Sequence, residues 1–533
     1  MNFKIFLLIS AYFALAACGG APSGSSSSGS TANTELATMS GSATALSQEE
    51  LDTLSEEQQL QVANKLLGTM MKGMPVNELF NISQGMQGNS DNPIASATLA
   101  TGAISTLMAD THRSIATALS IGERFEADTR INEGYRFSND RPREEPLAQF
   151  YEYPLSKDMF DRYVAYILMN TILFSPAEEI DSVDIEDVFS VYNNLVQDLR
   201  FNRNIRQIVA RHQRSLENWR RFRSPEDNTR EMIEIYLGLF DRDEDVPSAS
   251  IACQDLFLTD EDEGYLLMST GDINTTPQLI FANENLPPYT PAFITRCNDF
   301  YDFIASHPLL IPRMARVLVD YYMQGRDATL RGQMVQDIVD SGAQTFQDIV
   351  AGIIFSREYL LLTERAKSFE EIFFSTAGQI GWDARRDIWR GMASGSGGLR
   401  ETHLEQMGWP TMRSKLGRIA GIPQDAFAFA NYHKGFREAL MIDRTQWRNQ
   451  LVDDDVAQLS AAEYIDYLFM TACLRRAVPD EQTDLLALAD SLGYLDEGGQ
   501  TIARNSHDEV AQIVFDYITR LPEIYYFNQI TPS

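Results

Sequence analysis

Along most of this chain apolar side chains return every three or four residues, the spacing of a helix that buries one face. The pattern is clearest at Met232/Ile235/Tyr236/Leu239, Met314/Val317/Leu318/Tyr321, Phe346/Ile349/Val350/Ile353 and Val510/Ile513/Val514/Tyr517. Period-two alternation is scarce, and Gln278 to Phe281 is the best short strand. Ser47-Gln48-Glu49-Glu50 and Ser55-Glu56-Glu57 read as helix starts, each a hydroxyl cap followed by acids in the first turn. A stripe of Leu60, Ala63, Asn64, Leu67 and Met71 follows, with one polar residue inside it, and Gly73 and Pro75 stop it. An Ala/Thr/Ser-rich helix is expected from Ile94 to about Glu126, then a polar loop from Asn139 to Glu145, and the main body starts near Pro154. The pattern predicts a mainly α protein, a multi-helical array of amphipathic helices.

The array also carries a candidate internal repeat of helix, polar turn, helix, short gap and helix. Its copies are Tyr163–Leu216, Phe303–Leu361 and Tyr464–Phe527. The last two align best, with Val319-Asp320-Tyr321-Tyr322 against Leu468-Phe469-Met470-Thr471, and Ser356-Arg357-Glu358-Tyr359 against Leu521 to Tyr525.

The N-terminus gives the clearest chemical instruction. Lys4 supplies a positive charge, Ile5 to Leu15 is almost wholly apolar, and Leu15-Ala16-Ala17-Cys18 looks like a bacterial lipobox. An apolar run of this length is too short to span a bilayer core, which takes about 20 helical residues. Gly19, Gly20, Pro22 and Ser25-Ser26-Ser27-Ser28 then read as a flexible tether. Cys18 is therefore the expected lipid attachment site, and the Gly after it, in place of Asp, leans towards the outer membrane. The organisation expected is a signal peptide over 1–17, a lipidated tether over 18–47, an N-terminal helical region over 48–150, a main helical domain over 151–440 and a C-terminal helical module over 441–533.

At 533 residues and 44% hydrophobic composition the chain can bury a large core, while a net charge of −31 excludes a general nucleic-acid binder, which needs a basic face. In an oxidising compartment disulfides persist. Of Cys253, Cys297 and Cys473, the pair Cys253 and Cys297 flanks one Pro/Asn-rich segment and is the preferred bridge, which leaves one thiol over. No CxxC occurs, so zinc-ribbon, thioredoxin-like and c-type haem readings fail.

Three stretches together resemble a bacterial exported family known as domain-of-unknown-function family number 1800. Asn228-Thr229-Arg230-Glu231-Met232-Ile233-Glu234-Ile235 is similar to its Asn-x-Ala-Arg-Glu helix, His307-Pro308 with Ala315-Arg316 to its His-Pro helix start, and Ser356-Arg357-Glu358-Tyr359 with Arg365-Ala366-Lys367-Ser368-Phe369-Glu370-Glu371 to a later segment. Gly408-Trp409-Pro410 resembles a Gly-Trp-Pro that follows. The resemblance implies a mostly helical exported protein without an assigned activity and a second exported protein as partner.

Catalytic and metal signatures are missing from the sequence. No two of His112, His212, His307, His403, His433 and His507 lie four apart, no Gly-x-Ser-x-Gly elbow and no phosphate loop occurs, and no cofactor or metal is expected. Asp241-Arg242-Asp243-Glu244-Asp245 has the alternate carboxylates of a calcium loop, yet Val246 and Ala252 stand where Gly and Glu are needed, so it reads as an acidic loop. Arg200, Arg203, Arg206, Arg211, Arg214, Arg220, Arg221 and Arg223 form a basic island in one helical stretch. Arg203, Arg206, Arg211 and Arg214 are candidates to grip phosphate or carboxylate groups of a glycan or lipid, against internal neutralisation by Glu178, Glu179, Asp184, Glu186 and Asp187. Gly378 to Gly435 carries ten glycines, and its Trp382, Trp389, Trp409, His403 and His433 are candidate binding residues. The expected function is a lipid-anchored binding or assembly component of the cell envelope working with another exported protein. The alternative is an envelope hydrolase acting on polysaccharide or lipid near Gly378–Gly435.

Overall fold

Helices begin where the sequence places their caps. Ser47 and Ser55 each accept a hydrogen bond from the backbone N–H three residues on, while the Glu50 and Gln58 side chains reach back to the cap. Such a box satisfies amides that the first turn leaves open. These caps start α1 (Gln48–Asp52) and α2 (Glu56–Thr69). The computed structural model describes residues 36–71, 157–173, 185–240, 242–259, 266–269, 276–281, 291–367, 371–372, 374–376 and 459–531. The expected helix from Ile94 to Glu126 lies outside them, as does Cys18.

The main body starts with α3 (Lys157–Leu168), continued by a π-helical turn at Met169–Leu173. Met159 to Leu168 is buried on every side, which makes α3 the central rod, since a helix covered all round belongs inside the core. Then come α4 (Ile185–Arg200), α5 (Ile205–Gln213), α6 (Leu216–Arg221), α7 (Pro225–Leu237) and α8 (Val246–Ala252). The arginine island is thus divided over three helices. Asn202 turns the chain at φ 50°, Asn204 caps α5 with a box, and Ser215 caps α6.

Two antiparallel hairpins follow, β1 (Leu256–Thr259) with β2 (Leu266–Ser269) and β3 (Gln278–Ile280) with β4 (Ala292–Ile294). The strand expected at Gln278 is β3. The other three escape the pattern because four residues or fewer give too little alternation to read. Next come α9 (Cys297–Ser306), α10 (Leu310–Tyr322), α11 (Ala328–Asp340), α12 (Phe346–Ile354), a π-helical turn at Glu358–Leu362, and β5 (Arg365–Ala366). The last described group is α13 (Ala461–Cys473), α14 (Pro479–Ser491), α15 (His507–Ile518), α16 (Pro522–Tyr525) and β6 (Tyr526–Phe527). The chain is mainly α, as the periodicity predicts, and no described helix is long and apolar enough to cross a membrane.

The second and third repeat candidates share their element order. α10 and α11 are 13 residues each, as are α13 and α14. In both groups the first helix packs against the next two, and a short helical turn and a two-residue strand follow. Those strands pair antiparallel, Arg365 with Phe527 and Ala366 with Tyr526, so the two helical groups meet at β5–β6. Gly325, between α10 and α11, lets the chain pass close beneath this seam, because a Cβ there would stand 1.9 Å from the Glu364 carbonyl oxygen.

One expectation is corrected. The tether reading runs to residue 47, yet Ala37–Leu46 is docked. Ala37 N–H donates to Asp348 Oδ1 at 2.9 Å, Ser42 N–H to Asp337 Oδ2 at 2.7 Å, and Leu46 N–H to the Phe355 carbonyl at 2.9 Å. Polar composition predicts solvation, but two of these amides find carboxylates on α11 and α12 and the third a backbone carbonyl at the end of α12.

Candidate functional site

The seam between the two helical groups opens into a half-open cavity of about 220 Å³. α2 supplies Gln61, Asn64 and Lys65 to one wall, and Asn64 is the polar residue inside its apolar stripe. Lys367, just after β5, and Cys473, Leu474 and Arg475, at the end of α13, line it further, and residues 526–530 close it.

Beneath lies a buried ion pair. Arg365 and Glu371 are essentially inaccessible, and the guanidinium spans both carboxylate oxygens, at 2.8 Å to Oε2 and 2.5 Å to Oε1. It also donates to Tyr359 Oη at 3.0 Å and lies 4.9 Å from the Phe527 ring centre. A bidentate arrangement suits the guanidinium fork, and although burial opposes the charge, the Glu371 carboxylate beside it keeps the arginine protonated. Burial pushes the neighbouring phenols up, with Tyr322 and Tyr163 bonded to each other at 2.6 Å.

Lys65 is the most unusual group. Its ammonium nitrogen donates to the carbonyl oxygens of Thr363 at 2.5 Å and Asn528 at 3.1 Å, and it lies 5.3 Å from the Tyr359 ring centre. Burial, then the positive Arg365, holds its pKa well below the usual lysine value. Lys367 donates to the Glu523 carbonyl at 2.9 Å, and burial brings it down to about 8. The carboxylate of Glu523 is taken by Arg475 at 2.9 Å, and Arg475 also forks onto Glu481 at 2.7 and 2.9 Å. Cys473 is a free buried thiol whose pKa burial pushes up, which disfavours the thiolate. Leu474 sits at φ 54°, ψ 35°, a left-handed conformation that costs a bulky residue energy and is met at sites where surrounding structure holds it.

The preferred disulfide is present: Cys253 and Cys297 are bonded, and the loop they close contains both hairpins. Asp255 Oδ1 accepts the Cys297 N–H at 3.0 Å, and Asp245 Oδ1 accepts the Phe281 N–H at 2.7 Å. In the acidic loop Asp243 meets Arg230 and Asp245 meets Arg242, so these carboxylates brace the fold. On β3–β4, Leu279 stands directly opposite Phe293, and both face solvent, Phe293 at 72% exposure; Phe257 on β1 is exposed too.

The arginines of the island are engaged inside the fold. Arg206 donates to the Ala305 and His307 carbonyls at the end of α9, at 2.8 and 3.1 Å. Arg211 meets Asp198 and Asn194, Arg203 lies 3.4 Å from Asp198, and Arg214 meets Asp302 and Asn298. Among the described residues Asp198 and Asp302 neutralise Arg203, Arg211 and Arg214 from inside the fold, and Glu178, Glu179 and Asp184 lie outside the described residues. Trp382, Trp389, His403, Trp409 and His433 lie outside the described residues, together with the whole of Gly378–Gly435. Among the described residues no group of three or more His, Cys, Asp or Glu is placed to hold a metal ion.

Sequence reasoning missed Lys65 and Lys367, and one signal could have found them. Lysine is scarce here, occurring only at Lys4, Lys65, Lys72, Lys157, Lys367, Lys415 and Lys434, while arginine carries nearly all of the basic charge. Two of these few line one cavity. No family model, no curated protein and no solved structure matches the chain.

Proposed function

We propose that this protein is a lipid-anchored component of the cell envelope, held through Cys18, that binds or assembles with another exported protein. It would be a member of domain-of-unknown-function family number 1800, on the outer membrane. The observation that carries the assembly reading is the exposed Leu279–Phe293 pair on a hairpin closed off by the Cys253–Cys297 bridge. Large apolar side chains turned to solvent on a stapled element fit a surface that another protein covers. The bridge supports an oxidising compartment, and the lipobox-like Leu15-Ala16-Ala17-Cys18 with its Gly/Ser tract supports the anchor.

The partner's chemistry follows from charge. The connection between β1 and β2 includes Asp260-Glu261-Asp262-Glu263, and the whole chain carries −31. A partner with an apolar centre and a net positive charge complements so acidic a chain. The test is recovery of the intact lipoprotein from mildly solubilised envelopes, beside Leu279→Ser/Phe293→Ser and Cys18→Ser versions. One stoichiometric exported partner, lost with the double substitution, supports the reading. Recovery of a bare monomer, or a partner indifferent to both substitutions, ends it. Cys18→Ser should abolish labelling by radioactive palmitate and release the protein from membranes; retention of the label removes the anchor.

A further inference from the structure

We propose that the cavity at the β5–β6 seam is a binding site for a small ligand bearing an oxyanion, a carboxylate or a phosphate, with Lys65 as its anchoring cation and Lys367 as its second. The proposal stands apart from the assembly surface and does not depend on it.

The first argument is the accounting of Lys65. A buried charge needs an opposite charge or a full set of hydrogen bonds. Lys65 is 2% exposed, and its two hydrogen bonds go to neutral carbonyls, Thr363 and Asn528. An ammonium has three N–H donors. Glu364 acts on it only from a distance, as an exposed residue with no hydrogen bond or ion pair to it. Among the described residues, Arg365 beneath is cancelled by Glu371, and Arg475 together with Lys367 balances Glu481 and Glu523, the latter also in the cavity wall. The positive charge of Lys65 is left facing the cavity, in a protein whose overall charge is −31. A ligand oxyanion supplies both the missing acceptor and the missing charge.

The walls argue for the same ligand. The amides of Gln61, Asn64 and Gln529 line the cavity beside Tyr526 and Phe527, so donors and an apolar flank accompany the two cations. The Tyr526 hydroxyl is buried and has no hydrogen-bond partner. Leu474 holds a left-handed conformation in the same wall. A volume of about 220 Å³ is below the range of drug-sized pockets and fits a small metabolite head group, not a polymer. Burial and the nearby Arg365 disfavour the charged form of Lys65, and an arriving carboxylate or phosphate would favour it.

The experiment uses the full lipoprotein in detergent and needs no substitution. Trace acylation with a small amine reagent is followed lysine by lysine by mass spectrometry, in sodium phosphate, sodium acetate or sodium chloride at equal ionic strength. Lys65 and Lys367 should label about tenfold more slowly in phosphate or acetate than in chloride, the ratio expected when the anion is worth about 1.4 kcal/mol of occupancy. The remaining lysines should label at unchanged rates. Slowing in phosphate alone or in acetate alone supports the site and names its chemistry. Equal rates in all three salts overturn it, as does protection of Lys367 without Lys65. A Lys65 that fails to react even in chloride overturns it too, since its amine would not then be reached from the cavity. As a second measurement, Lys65→Gln should remove the anion's protection of Lys367; protection that survives the substitution counts against Lys65 as the anchor.

Discussion

Arg365 stands opposite Phe527 across the β5–β6 ladder, and its guanidinium lies 4.9 Å from the centre of that ring. The two residues belong to different helical groups, so one cation holds together two modules of the same element order. The same guanidinium satisfies Glu371 and Tyr359, which makes it a charged centre of the junction.

Breaking that pair should cost more than removing it. Arg365→Met leaves the Glu371 carboxylate buried without its partner and should destabilise the fold by about 3–5 kcal/mol, whereas Arg365→Met/Glu371→Leu should cost distinctly less. Urea unfolding of the two variants checks this, and equal losses would show that the charge itself is not what the junction depends on.

The disulfide should matter at the level of the hairpins. Cys253→Ser/Cys297→Ser frees a loop with a separation of 44 residues and should lower stability by about 2–5 kcal/mol. Wild type in reductant should move to the same urea midpoint, and a midpoint indifferent to reductant would contradict the prediction.

Acid should weaken the fold through His212. Burial drives this imidazole down to about 4, against the hydrogen bond to the Leu173 carbonyl, which pulls the other way. Between 6.5 and 4 the unfolded chain takes up a proton that the folded one refuses, so stability is complete above pH 6.5 and falls as pH drops towards 4. A shift of that size corresponds to about 3 kcal/mol. His212→Gln should reduce the slope over this window, leaving the part that comes from His307, which burial also brings down to about 4, and an unchanged slope would remove His212 as a cause.

Gly325→Ala should be costly although alanine is small. The new Cβ would meet a backbone oxygen at 1.9 Å, and the seam would have to open, at about 2–3 kcal/mol. A thermal midpoint equal to wild type would mean that the loop yields freely.

Leu279→Ser/Phe293→Ser should leave unfolding within about 0.5 kcal/mol of wild type, because exposed side chains contribute little to the fold. Circular dichroism during thermal unfolding reads this. A large loss would mean that these side chains pack internally, and the capture experiment would then need other substitutions.

What the sequence determined by itself was local. The caps at Ser47 and Ser55, the 3.6-residue stripes at Met314 and Phe346, and the repeated order of helices depend on neighbours a few residues away. The Cys253–Cys297 pairing was legible for a similar reason, since both cysteines flank one segment. The tertiary structure alone decided where charge lies. Lys65 is next to Asn64 on an otherwise ordinary helix, and only the return of residues 363 and 528 to that helix turns it into a buried cation. Arg206, Arg211 and Arg214 look like a basic surface in the sequence, yet their partners come from α9 and α4, up to 101 residues away. Hydrophobic periodicity acts over one or two turns, whereas a charge is neutralised by whatever the fold brings within a few ångströms. That is why the helices could be read from the chain and the cavity could not.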